Sequence, residues 1–334
     1  MFRLMRIFVA GATGALGLSV IRRLIAEGHD VTGLARTARR TTPLRTLGAR
    51  VVIADALNGA ALRDAIRGAH PDVVVHALTS IPSRGPLRAS DLAATNRLRV
   101  SGTKNLLSAA ISAGASRIIA ESMVFIYGFG DLGDIALTED MPSAREIPAP
   151  WLRPPIDALL SEEAQILNAS QAGLIEGIVL RFGGFYGPGA GIDVMINQLR
   201  RRSLPLPKQP RSRGVPWIHI HDAASAVVAA VSRETSGQTY NIADDEAVPA
   251  AKLIEYLAEA IRAPKPVSIP NWILRIAAPF VASAWFNTTL KVSNKKAKQE
   301  LGWLPQFPTY RDGIAQALQI AENISGRGNV VNDD

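Results

Sequence analysis

The stretch Phe8-Val9-Ala10-Gly11-Ala12-Thr13-Gly14-Ala15-Leu16-Gly17 limits what this chain can become more than any other: an apolar run enters a glycine-rich turn and a helical pattern follows at once. Arg6 to Ala10 has the unbroken apolarity of a parallel strand covered on both faces. From Ala15 to Glu27, Leu16, Val20, Leu24 and Ile25 recur at roughly helical spacing, and Gly28 stands where a helix ends. Gly11 permits the tight turn, Gly14 lets the backbone approach a pyrophosphate, and Gly17 allows close packing of helix on strand. Phosphates would rest on the unpaired N–H groups at the positive end of that helix. Gly11, Thr13, Gly14, Ala15, Leu16 and Gly17 are therefore candidate contacts to a dinucleotide. The spacing is Gly-x-x-Gly-x-x-Gly, which also suits a turn with no ligand; the strand-helix periods downstream favour the dinucleotide.

The rest of the composition bounds the answer. With 334 residues, 47% hydrophobic and 20% charged, the chain is an ordinary globular mix with ample core for one large or two modest domains. It has no cysteine, which excludes disulfides, thiol nucleophiles and thiolate metal sites. Met1 to Val9 begins basic and turns apolar, yet these apolar residues belong to the first strand, so a cytoplasmic enzyme is expected. The net charge of +8 suits an anionic cofactor, and Arg36, Arg39, Arg40, Arg45 and Arg50 crowd the segment after the second strand. No aromatic-interleaved basic surface points to nucleic acid. Ile269 to Phe286 is apolar but broken by Pro270, Asn271, Arg275 and Pro279, so a helix covering the substrate cleft is expected rather than stable membrane insertion.

The second strand, Asp30 to Ala35, ends where a carboxylate roughly 20 residues past the glycine turn would favour NAD. The chain has Leu34-Ala35-Arg36-Thr37 instead, and the Arg36 guanidinium offers paired donors to a 2′-phosphate, so NADP(H) is expected in preference to NAD(H). Past the third strand, Arg50 to Ile53, Asp55 with Ala56 is placed to meet the adenine, or to cap the helix Ala60 to Ile66. The fourth strand, Pro71 to Ala77, ends with Ala77 and Leu78, small enough at Ala77 for a cofactor to lie against the backbone; His76 points into the cleft or into packing. A helix from about Asp91 to Ala113 leads to the fifth strand, Arg117 to Ser122, whose end carries Ser122 at the edge where open sheets place their chemistry.

By these residues the chain resembles an extended or atypical short-chain dehydrogenase/reductase of the epimerase/dehydratase type. The resemblance is carried by the Gly11 to Gly17 turn, Asp55, Val100 to Leu107, Ser122 to Gly128, Leu180 to Gly189, Trp217 to Asp222, Asn241-Ile242-Ala243 and Leu301 to Pro305. It implies an α/β fold, a Rossmann-type doubly wound parallel sheet with a smaller carboxyl-terminal α+β substrate domain. The partition expected is 1–181 for the dinucleotide domain, with 221–243 returning to it, 182–220 and 244–324 for the substrate domain, and 325–334 as a flexible tail. The resemblance also implies NAD(P)-linked chemistry on an alcohol or carbonyl, with the backbone of Gly183 to Phe185 against the nicotinamide.

The chain departs from the family at the acid. Such enzymes pair a tyrosine with a lysine four residues on, the lysine lowering the phenol's pKa. This sequence has five tyrosines, at 127, 186, 240, 256 and 310, and none is followed by lysine at that spacing. Aligning Glu163 with the acidic residue that often follows the pair puts Pro155 and Leu159 at the tyrosine and lysine, and the usual serine position falls on Met123. Ser122 and Tyr127 remain as catalytic candidates, Tyr186 as a weaker one. His219, His221 and Asp222 share a strand end but supply too few ligands for a metal. Trp151, Phe185, Tyr186, Met195 and Trp217 offer an apolar lining for a small molecule, while Arg211 and Arg213 suit a diphosphate. The function expected is an NADP(H)-dependent oxidoreductase acting on a carbonyl or alcohol of a small, partly apolar metabolite. The alternatives are a nucleotide-sugar epimerase or dehydratase and a non-catalytic NADP-binding sensor or scaffold, with a homodimer left open.

Overall fold

The computed structural model describes residues 4–144, 147–233 and 235–328, the last eight of these by backbone alone. Seven parallel strands form the main sheet: β1 (Arg6–Ala10), β2 (Asp30–Ala35), β3 (Arg50–Ile53), β4 (Val73–His76), β5 (Arg117–Met123), β6 (Glu176–Phe182) and, after three short strands, β10 (Gln238–Ile242). The short strands are β7 (Gly184–Tyr186), β8 (Leu206–Pro207) and β9 (Trp217–His219); a last one is β11 (Ser268–Ile269). In the order β10-β6-β5-β4-β1-β2-β3, the winding reverses between β1 and β4. A crevice opens there beyond the strands' carboxyl ends, which is where open α/β sheets bind ligands.

Helices cover both faces because β1, β2, β4, β5 and β6 carry apolar residues on both. Ala15–Ala26 and Ile220–Ser232 pack on one face over Val9, Val75, Ile119 and Ile178. Gly59–Ala69, Thr103–Ser112 and Arg153–Gln171 pack on the other over Phe8, Val74, Ile118 and Val179. The helix predicted from Asp91 to Ala113 is in fact segmented: a three-ten turn Ala89–Leu92, an α-turn Ala93–Arg97, a π-helical turn Leu98–Gly102 and the α-helix Thr103–Ser112. Wide turns of this kind are frequent at functional sites, and this one buries Arg99.

Beyond β6 the chain builds a second core around Tyr186, Leu199, Trp217, Leu257, Phe286 and Tyr310. Two-stranded ladders β7·β9 and β8·β11 and the helices Ile192–Arg200, Ala250–Ala260 and Tyr310–Gly328 frame it. The last helix runs into the segment expected to be a tail, whose residues 329–334 lie outside the described residues. Ile269 to Phe286 is broken into Asn271–Ala277, Pro279–Val281 and Ala282–Phe286, and no helix among the described residues is long and apolar enough to cross a membrane.

Candidate active site

The glycine turn is built for close approach. Gly11 has φ +91°, and a Cβ there would stand 1.9 Å from the Ala77 carbonyl oxygen just past β4. A Cβ on Gly17 would stand 2.3 Å from the Gly11 oxygen, so helix and strand meet as closely as backbones can. Gly14 is different: it caps the Ala15–Ala26 helix without any side-chain hydrogen bond, and a Cβ there would meet only the Gly11 oxygen, at 3.3 Å. The first turn carries no acidic side chain. Its N–H groups thus face open space at the positive end of a helix, a cradle that suits an anion such as a pyrophosphate.

At the outer end of the same edge, a hollow of about 280 Å³ is lined by Thr13, Leu18, Arg39, Arg40 and Pro43. Arg36, exposed, follows β2 directly, three residues before Arg39. Asp55 is exposed too and accepts from Leu57 N at 2.9 Å, while the cap of the following helix is Asn58, which accepts from Ala61 N. The alternative that Asp55 caps this helix is thereby corrected. Ala56, Ala77 and Leu78 are buried along the crevice. On its far side, Gly183 N donates to Ile242 O at 3.0 Å, and a Cβ on Gly183 would press on Pro216.

The residues proposed from sequence to move a proton are held elsewhere. The Ser122 hydroxyl donates to Glu163 Oε1 at 2.6 Å, and Glu163 takes a forked pair of bonds from Arg181. Arg181 Nη1 donates to the Tyr127 hydroxyl at 2.9 Å, which is within 3.0 Å of Asn241 Oδ1 and 3.1 Å of Thr138 O. Tyr127 is 3% exposed, and burial pushes its phenol up. Both hydroxyls are thus members of a buried network that ties β5, β6 and β10 to the Arg153–Gln171 helix, and neither is free for a substrate. Tyr186 is fully buried, donates to Asp244 Oδ2 at 2.8 Å and has its pKa raised, first by burial and then by that carboxylate. It belongs to the second core, not to a lining.

The other candidates separate in the same way. Trp217 stacks on Trp285 with centroids 4.6 Å apart, and Trp285 also lies edge-on to Phe125 at 5.2 Å. These rings close over the carboxyl ends of β5 and β6, where Trp285 leaves no room for a Cβ on Gly184. Phe185 is half-buried against Phe182. Met195 packs against the second core, and Trp151 is exposed in the turn that starts the Arg153–Gln171 helix, so the five residues expected to line the substrate do not form one wall. Arg213 is committed to Asp131 through both terminal nitrogens, at 2.8 and 2.9 Å. His219 caps the Ile220–Ser232 helix, and the Asp222 carboxylate holds the backbone N–H groups of Gln306 and Phe307. Among the described residues no three metal-ligating side chains come together.

What sequence reasoning missed is a buried polar cluster beside the crevice. His76 Nε2 donates to Thr103 Oγ1 at 2.7 Å, and Nδ1 accepts from Leu78 N. Glu162 reaches His76 Nε2 and Arg99 Nε, at 3.3 Å each. Burial, with Arg99 adding to it, drives His76 down to about 3, so the ring is neutral. Burial also pushes Glu162 up, against the pull of Arg99. The available signal was Glu121, a charged residue inside the apolar run of β5. Met123 is half-buried at the end of that strand, with Pro155 and Leu159 buried in the facing helix, so the positions matched to serine, tyrosine and lysine bear no ionisable group.

Comparison with known proteins places this geometry. The model of the NAD dependent epimerase/dehydratase family matches residues 7–243. A Streptomyces 3-diazoavenalumate denitrifying reductase is 35% identical over 317 residues, covering 93% of this chain and 100% of that protein. The dTDP-6-deoxy-L-talose 4-dehydrogenase (NAD(P)(+)) of Kitasatospora kifunensis is 27% identical, covering 93% and 94%. Among solved structures, dTDP-glucose 4,6-dehydratase of Streptomyces venezuelae, with NAD bound, superposes at TM-score 0.77 with 19% identity, covering 96% and 98%. UDP-glucose 4-epimerase of Thermotoga maritima does so at 0.76 with 17% identity, covering 95% and 99%. Relatives named as reductase, dehydrogenase and epimerase accord with a cradle shaped for a dinucleotide: the chain is an enzyme of the NAD-dependent epimerase/dehydratase family.

Proposed function

We propose that this enzyme is an NADP(H)-dependent reductase of a small, largely apolar electrophile. The observation that carries the reading is the edge of β5 and its facing helix, where Met123, Pro155 and Leu159 replace the groups a sugar epimerase or dehydratase needs as a strong base. Gly11 to Gly17 would hold the pyrophosphate, and Arg36, Arg39 and Arg40 a 2′-phosphate at the hollow beside Thr13. When bound, the reduced dinucleotide supplies a hydride; the protein orients the acceptor and excludes water with Phe125, Trp217 and Trp285.

The relative that is 35% identical over its whole length favours a diazo compound as acceptor. Reduction of a neutral diazo carbon adds one hydride and one proton, breaks the C–N bond and releases dinitrogen. A carbonyl, which takes the same hydride and proton without losing a group, is the second reading, favoured by the dehydrogenase relative. Purified protein with NADPH is tested against neutral diazo compounds (diazoalkanes and deprotonated diazophenols) and against aldehydes and ketones, following NADPH oxidation and dinitrogen by mass spectrometry. Dinitrogen released in step with NADPH consumed supports the first reading. A nucleotide sugar interconverted with no net cofactor oxidation would overturn both.

A further inference from the structure

Glu121 takes no part in any contact described so far. It lies two residues before Met123 on β5, so strand alternation puts both side chains on one face. Ile119, on that face, packs under the Ala15–Ala26 and Ile220–Ser232 helices, whereas Ala120 packs on the opposite face and Ser122 turns there to Glu163. The register aligns Val9, Val75, Ile119 and Ile178 across the sheet. The next row on the same face is Gly11, Ala77, Glu121 and Leu180, so Glu121 shares its row with the two residues whose backbones meet at the crevice.

The side chain is 8% exposed, and its carboxyl has no hydrogen-bond partner among the described residues. Three of the other deeply buried carboxylates are engaged by hydrogen bonds: Glu163 by Ser122 and Arg181, Asp222 by two backbone N–H groups and Asp244 by Tyr186 and His219 N. Glu162 lies 3.3 Å from Arg99 Nε, and its Oε2 accepts no hydrogen bond among the described residues. A buried carboxyl without partners is costly as an anion and holds its proton. Burial accordingly raises Glu121 to about 7, with Arg99 the charge that opposes the rise and Glu162 a second carboxyl in range. Neutral His76 adds no charge.

We propose that Glu121 is the catalytic acid of this site, the group that replaces the missing tyrosine. The inference deepens the reductase reading and rests on it. As the acceptor takes its hydride, the O–H bond of Glu121 breaks and the proton passes to the carbonyl oxygen, or to the diazo compound that then loses dinitrogen. Glu121 is left as a carboxylate in the field of Arg99, and water at the crevice returns the proton. A carboxyl titrating near neutrality is matched to this work, since the best acid has a pKa close to the operating pH.

The test uses the full chain and Glu121→Gln, which keeps the shape and removes the proton. With saturating NADPH, kcat is expected to fall roughly 100- to 10,000-fold. Calorimetric NADPH affinity stays within about threefold, and the loss of rate as wild-type is raised through neutral pH disappears. Glu121→Asp, a second variant should the first not fold, restores part of the rate and keeps the pH limb. Unchanged kcat in Glu121→Gln, or a loss of NADPH affinity as large as the loss of rate, overturns the assignment. If wild-type reduces neither diazo compounds nor carbonyls, the reductase reading fails, and the acid is judged by infrared spectroscopy instead. The assignment then requires a carboxyl band that titrates near neutrality, vanishes in Glu121→Gln and shifts when NADP+ is added; a spectrum without such a band overturns it independently.

Discussion

Arg36 and Tyr127 show how differently two polar residues at one sheet edge can be employed. Arg36 stands exposed at the end of β2 with no hydrogen bond or ion pair among the described residues. Its worth lies in what it would meet: hydrogen bonds to a charged group contribute about 1.5–3 kcal/mol, so Arg36→Ala should weaken NADPH by roughly 10- to 100-fold. NADH, lacking the 2′-phosphate, should lose almost nothing, and equal losses by calorimetry would contradict the phosphate assignment. Tyr127 is the reverse case, since its hydroxyl is shared among Arg181, Asn241 and Thr138. Tyr127→Phe leaves Arg181 short of one acceptor, so unfolding in urea should show a loss of about 1–3 kcal/mol. Turnover per folded molecule should not move, and a drop in kcat beyond the loss of folded protein would return the phenol to the chemistry.

At the scale of elements, the glycine turn separates folding from binding. Gly11→Ala would force a left-handed backbone on a residue with a Cβ and drive that Cβ into Ala77, a combination costing several kcal/mol. No folded protein, or a melting temperature lower by roughly 5–10 degrees, is expected. Gly14→Ala has an ordinary φ and near-open space, so it should melt within a few degrees of wild-type while binding either dinucleotide more weakly. The strands of this edge were readable in the sequence because apolar runs rich in β-branched residues, such as Val73-Val74-Val75 and Ile118-Ile119-Ala120, belong in a covered parallel sheet. The π-helical turn was not, since Leu98, Gly102 and Leu106 keep the spacing of an uninterrupted helix and only tertiary packing widens it around Arg99. The cluster of His76, Arg99, Thr103 and Glu162 was equally hidden, because its members come from four elements spread between residues 76 and 162. Trp285 over Gly184 is a contact across about a hundred residues, which no local pattern encodes.

For the molecule as a whole, the polar groups buried at the sheet's carboxyl edge set stability against pH in two opposed directions. His76 and His219 are both pushed by burial from 6.5 to about 3, so the folded state refuses protons that the unfolded chain accepts, and their contribution falls as pH drops below 6.5. Glu121 is raised from 4.5 to about 7, so the folded state keeps a proton the unfolded chain gives up. Its contribution is fully present below 4.5 and is lost as pH rises through 7. Glutamine at 121 cannot ionise, so it escapes that loss and leaves the histidines untouched. The unfolding free energy of Glu121→Gln relative to wild-type should therefore climb between pH 4.5 and 7, by at most about 3 kcal/mol for a shift of this size. Urea unfolding at the two ends of that window measures the difference without any substrate. A flat difference would mean that Glu121 ionises in the fold as freely as in water. The same carboxyl could not then hold a proton for an acceptor at neutral pH, so the stability curve and the pH–rate profile must stand or fall together.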